Sequence, residues 1–225
     1  MVKRIAILVL LQLAAVAAVS AQNRQRISIL GDSYSTFVGY IPEGNAIWYD
    51  GTTRQTDVTA VQQTWWWKVV REGGYLLEKN ESYSGSTVSC TGYNDADYSE
   101  FSFLARLPRL GSPDILLIFG CTNDSWAGVK TGEFQYGSWT RGDLYFYRPA
   151  LAKLLSDAQA RYPNVDIWFL INDGLRDDIT ESTKEICSHY GVPYIQLEGI
   201  DKQNGHPSVA GMEAIARQVL KAIRK

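Results

Sequence analysis

Four short segments, spread across 225 residues, carry the kinds of group that acyl transfer needs. Gly31-Asp32-Ser33 offers a hydroxyl and Ser84-Gly85-Ser86 a backbone amide with no side chain over it. Thr122-Asn123-Asp124 offers a carboxamide, and Asn204-Gly205-His206-Pro207 an imidazole. Together they would supply a nucleophile, oxyanion donors and a general base. Taken singly, each has a plainer reading. Ser33 is a good helix cap, Gly85 suits a tight bend, Asn123-Asp124 suits a turn, and His206 before Pro207 suits an exposed cap. The chemical reading therefore requires a scaffold that brings all four to one rim.

The hydropathy pattern predicts such a scaffold. Apolar runs at residues 27–30, 75–79, 114–119, 165–171 and 193–197 read as strands, the third being apolar throughout, as in a strand buried on both faces. Between them, 64–71, 101–110, 144–162 and 179–190 read as helices. After Ser208, a suitable N-cap, residues Val209, Met212, Ala216, Val219, Leu220 and Ile223 form one apolar stripe at three- and four-residue steps. Strands alternating with helices imply an α/β fold with a parallel sheet covered on both faces. Five strands fit the flavodoxin-like order 2-1-3-4-5, which binds ligands beyond the carboxyl ends of its strands. The four segments above all follow predicted strands, and two long aromatic-rich stretches, 34–63 and 124–143, emerge at the same edge.

At these residues the chain resembles the SGNH (GDSL-type) hydrolases, from Gly31-Asp32-Ser33 to His206-Pro207. The resemblance implies a three-layer α/β/α sandwich and metal-free, cofactor-free esterase chemistry through an acyl-enzyme. It maps the nucleophile onto Ser33, oxyanion donors onto the amides of Ser33 and Gly85 and the side chain of Asn123, and the base onto His206. Two positions depart from the family pattern. Cys121 stands where Gly is usual, two residues before Asn123, and Gln203 stands where an Asp is usual, three residues before His206. Asp201 is the nearest carboxylate and the first choice as the histidine's partner; Gln203 or a main-chain carbonyl are the alternatives. Asp32 and Asp124 are expected to brace loops. A neutral imidazole is required of the base, so an ordinary histidine would lose activity below about pH 6.5.

The remaining composition excludes much else. Twenty-two basic against 24 acidic side chains give a net charge of −2, which argues against nucleic-acid or anionic-membrane binding. No phosphate-binding glycine motif occurs. Residues 1–21 read as a signal peptide: Lys3 and Arg4, an apolar run, then Val19-Ser20-Ala21. Export to a periplasm or the exterior is therefore expected, without a stable membrane anchor, with residues 22–225 forming one domain. Cys90, Cys121 and Cys187 allow at most one disulfide and are expected to be buried thiols. With only His189 and His206 and no Cys-x-x-Cys, no metal site is expected.

Aromatic residues concentrate where the long loops should lie. Trp48, Tyr49, Trp126 and Trp139 are candidates for stacking on sugar rings, with Tyr145 and Tyr147 nearby. An acetylated carbohydrate is the leading substrate class, a small-molecule or oligosaccharide ester. Lipid or short-chain acyl esters come second, and a glycan-binding module that has lost turnover is the non-enzymatic alternative. Trp65-Trp66-Trp67 on one helix cannot all face one way, so at least one should fill the core.

Overall fold

The computed structural model describes residues 24–52 and 55–224; the expected signal segment lies outside them. Five parallel strands, β1 (Arg26–Gly31), β2 (Leu76–Ser82), β3 (Ile115–Gly120), β4 (Asp166–Ile171) and β5 (Tyr194–Gln196), form one sheet in the order β2-β1-β3-β4-β5. The α/β/α sandwich and strand order are those expected. Helices α1 (Trp65–Glu72) and α6 (Val209–Ile223) cover one face. The other face carries the short α2 (Phe103–Arg106), α4 (Tyr147–Arg161) and α5 (Asp177–His189). A five-residue helix, α3 (Thr122–Trp126), sits at the end of β3.

Strand β3 shows why the layers form. All six of its residues are buried. Ile115, Leu117 and Phe119 join the core under α1 and α6, while Leu116 and Ile118 join the core under α4 and α5. The two-residue period of a strand thus splits one unbroken apolar run between two cores. Trp65 and Trp66 are fully buried in the first core, with Trp67 packed at its margin. Capping follows the local chemistry: Thr64 accepts from the Trp67 amide, and Ser208 Oγ accepts from the Gly211 amide at 3.1 Å.

The departures are local. β2 runs three residues further than expected, to Ser82. The helix expected over 101–110 breaks into α2 and a 3₁₀ turn at Leu107–Arg109, where Pro108 cannot donate to a continuing helix. Beyond β5, Lys202–Gln203 (β6) and His206–Pro207 (β7) form a two-stranded antiparallel ribbon. Asn204 and Gly205 turn it with φ of 49° and 77°, the positive pair that a two-residue Asn-Gly hairpin adopts. The three cysteines are buried free thiols.

Candidate active site

Register places the strand ends together. Gly31 lies level with Ser82 of β2 on one side and with Phe119 of β3 on the other. Immediately beyond Gly31 the chain winds into a single 3₁₀ turn, Ser33–Ser35. Asp32 caps this turn, its Oδ1 accepting from the Tyr34 amide at 3.0 Å. Burial pushes the Asp32 carboxyl up to about 7, against the pull of that amide and of Arg106. The Ser33 amide, at the head of the turn, has no partner within the turn itself.

Ser33 Oγ lies 2.9 Å from His206 Nε2, although 173 positions separate them in the chain. On the far side of the ring, Nδ1 lies 3.1 Å from the Asn204 carbonyl. A carbonyl only accepts, so this contact puts the proton on Nδ1 and leaves the Nε2 lone pair facing the serine hydroxyl. That is the tautomer a general base requires. Burial holds the imidazole down at about 4; the Asn204 carbonyl opposes this shift and the Lys202 charge adds to it. Burial thus favours the neutral ring below the 6.5 of an ordinary histidine.

The expected carboxylate partner is not at the ring. Asp201 accepts a short hydrogen bond from Ser208 Oγ, and its carbonyl accepts from the Ser208 amide at 3.0 Å, so it braces the start of α6. Gln203 is engaged too, its Oε1 accepting from the Asp57 amide at 2.8 Å. The physical cause is the hairpin. Reversal at Asn204-Gly205 sets Gln203 opposite His206 and turns the Asn204 carbonyl onto Nδ1. Of the alternatives raised by the missing Asp, the main-chain carbonyl is the one that meets the imidazole.

Gly85 has φ of 84°, the left-handed region that favours glycine, and its amide meets no acceptor among the described residues. Asn123 is buried, its Nδ2 donating to the Ser86 carbonyl at 3.0 Å while Tyr93 OH donates to its Oδ1 at 2.8 Å. These two bonds settle which end of the amide is nitrogen and leave the second N–H available. Asp124 accepts from the amides of Val88 and Ser89 at 2.8 and 3.0 Å, fixing the loop after Gly85. Cys121, in the place of the usual glycine, has φ of 66°. The backbone there keeps the left-handed turn, and a buried side chain bears its strain.

Two supports were not anticipated. Arg106, fully buried, donates to the carbonyls of Phe101, Gly31 and Glu81 and to Ser86 Oγ. One guanidinium so ties the strand before Ser33 to the loop around Gly85. The signal available in sequence was an arginine on the same helical stripe as Phe103 and Leu107. Tyr34 and Tyr49 hold the histidine segment, their hydroxyls donating to the carbonyls of Gly205 (2.6 Å) and Pro207 (2.8 Å).

The four aromatic candidates separate. Trp126 is 43% exposed and lies edge-on to His206, with ring centroids 5.8 Å apart. Trp48 stacks directly on His206. Tyr49 is buried, a brace rather than a sugar platform. Trp139 packs against the α4 core, beneath the Lys153 ammonium, and makes no ring contact with His206. Tyr147 is also core, its hydroxyl bonded to Thr183. Among the described residues, no group of three or more His, Cys, Asp and Glu could hold a metal ion, and no helix is long and apolar enough to cross a membrane.

The family model of GDSL-like lipases and acylhydrolases matches residues 25–223. No curated protein matches the chain. Among solved structures, a GDSL-like lipase of Bacteroides ovatus ATCC 8483 superposes with TM-score 0.87 at 54% identity, covering 88% of this chain and 96% of that one. One from Bacteroides uniformis ATCC 8492 gives 0.88 at 50% identity, covering 90% and 96%. An acetyl xylan esterase of the rumen bacterium Butyrivibrio proteoclasticus has a similar fold, with TM-score 0.53 and 17% identity over 89% of this chain and 63% of that one. The chain belongs to the GDSL-like lipase/acylhydrolase, or SGNH hydrolase, family.

Proposed function

We propose that this chain is an exported serine esterase that removes acyl groups, acetyl first among them, from carbohydrate. The observation that carries the catalytic reading is the 2.9 Å contact between Ser33 Oγ and a His206 ring whose other nitrogen faces a carbonyl. In the proposed reaction, His206 Nε2 takes the Ser33 proton as Oγ bonds to the ester carbon. The amides of Ser33 and Gly85 and the free N–H of Asn123 receive the negative charge on the former carbonyl oxygen. His206 then gives its proton to the leaving alcohol, and a water activated by the same nitrogen clears the acyl-enzyme. A positioned serine and histidine without a carboxylate still form a working dyad, because setting the tautomer and ring orientation is the larger part of the third group's task.

Support for a sugar ester comes from Trp126, a half-exposed indole beside the base, whose flat apolar surface suits the face of a pyranose. An acetyl xylan esterase on the same fold accords with that reading. The apolar run and small residues before Gln22 support export. The test is hydrolysis of acetylated oligosaccharides, long-chain acyl esters and an activated acetyl ester by wild type and Ser33→Ala. Release of acetate from the oligosaccharides that Ser33→Ala abolishes is expected. Preference for long-chain esters would move the substrate to lipids. Polysaccharide binding with no turnover by the wild type would make the chain a glycan-binding module, and full activity in Ser33→Ala would remove the nucleophile.

A further inference from the structure

The indole of Trp48 lies flat on the imidazole of His206, with centroids 3.5 Å apart and planes 9° apart. Three other rings surround the histidine at steeper angles: Tyr34 at 55°, Trp126 at 72° and Tyr49 at 78°. The stacked contact is held from both sides. The Trp48 amide donates to Thr36 Oγ1 at 2.9 Å, and that hydroxyl donates to the Ser33 carbonyl at 3.0 Å. Next along the chain, the Tyr49 carbonyl accepts from Val38 at 3.0 Å and the Tyr49 hydroxyl bonds to Pro207. The indole is therefore anchored to the serine turn and to the histidine ribbon together. Its stacked face is occupied by the base and is closed to a sugar.

Proton transfer from Ser33 creates an imidazolium in this enclosure. The charged groups near it give little help. Asp201 is bonded to Ser208, Asp57 accepts from the Val209 amide, and Asp173 is paired with Lys202, whose own charge opposes a second cation. The Asn204 carbonyl is the polar contact that favours the protonated ring. A tryptophan face attracts a cation through its quadrupole, most strongly when water is excluded.

On the reading that Ser33 and His206 form the catalytic pair, we infer that Trp48 is the electrostatic partner of the base: its π face stabilises the imidazolium and holds the ring plane, offsetting the missing carboxylate. As the Ser33 Oγ–H proton moves to Nε2, Oγ bonds to the acyl carbon and the carbonyl π pair moves onto its oxygen. The positive charge then rests over the indole until Nε2 returns the proton to the departing alkoxide. Trp48 exchanges no atoms.

Site-specific replacement of Trp48 by mono-, di- and trifluorotryptophan keeps shape and packing while draining the π face. On an activated acetyl ester without a sugar, kcat should fall stepwise, by about threefold to tenfold across the series, with KM unchanged. The acid limb of kcat/KM should move to lower pH, since a weaker partner favours the neutral ring. Trp48→Leu should lose about tenfold in kcat on the same ester, with Trp48→Phe between it and wild type. A flat fluorine series alongside an inactive Ser33→Ala overturns the inference and leaves the esterase reading standing. So does a Trp48→Leu enzyme that raises KM for glycosyl esters alone, which would make Trp48 a substrate platform. Full activity in Ser33→Ala would remove the base assignment, and this inference with it.

Discussion

The two flanks of Ser33 are built from opposite materials. On the side of the proposed base, the His206 ring is enclosed by four aromatic rings and, among the described residues, hydrogen-bonds only to Ser33 and the Asn204 carbonyl. On the proposed oxyanion side, Asn123, Asp124 and Arg106 are buried with hydrogen bonds to strand ends and to the 86–89 loop, and Asp32 caps the serine turn. On the proposed esterase reading, opposite demands account for the contrast. A base must rest neutral and carry a positive charge only briefly, which a dry cage of π faces permits. A site for developing negative charge needs dipoles held in place before the reaction, and bonded donors provide them. The acids on that flank act as braces: burial pushes Asp124 up to about 6, and its two amide bonds pull the other way.

The largest loss is expected at Asn123. Asn123→Ala removes a prearranged donor, and kcat on a minimal acetyl ester should fall by about 10²–10³-fold. A loss below about threefold would show that the polar flank does not meet the oxyanion. Tyr93→Phe removes the bond that holds Asn123 Oδ1 and loosens the amide, so kcat should drop about fivefold, the equivalent of one hydrogen bond, with KM unchanged. The smallest effect is expected at Asp201. Asp201→Asn should change kcat by less than about twofold, because the neutral amide can still accept from Ser208 while Asn204 serves the ring. In wild type and in that variant alike, the histidine limb of kcat/KM should lie near 4, below any step that the buried Asp32 and Asp124 carboxyls, pushed up to about 7 and about 6, add by taking protons. A large loss in Asp201→Asn, or a limb near 6.5 that this variant shifts, would mean that a carboxylate joins the histidine during turnover.

Much of this arrangement was legible before any coordinates. The run Ile115–Phe119 reads as a strand with two buried faces, and the stripe from Val209 to Ile223 as a helix with one. Their alternation orders the sheet, and strand ends in a parallel sheet share a rim. The partner of His206 was misjudged in favour of Asp201, although the sequence held a signal against it. Asn204-Gly205 is a hairpin signal, and a hairpin there excludes the extended loop that would let Asp201 reach the ring. The aromatic candidates were not separable in sequence. Trp48, Tyr49, Trp126 and Trp139 are alike as residue types, and only packing sends one onto the histidine, one under it, one to the rim and one to the far core.

By itself, then, the order of residues determined the layers, the sheet and the edge on which chemistry gathers, because periodicity and capping act over a few residues at a time. The carbonyl at Nδ1, the indole over the imidazole and the guanidinium beneath the oxyanion loop were decided by the tertiary structure. The guanidinium contact with Gly31 spans 75 residues, the indole contact joins Trp48 to His206, and the carbonyl depends on the course of a backbone turn; contacts of that kind are set only once the cores have closed.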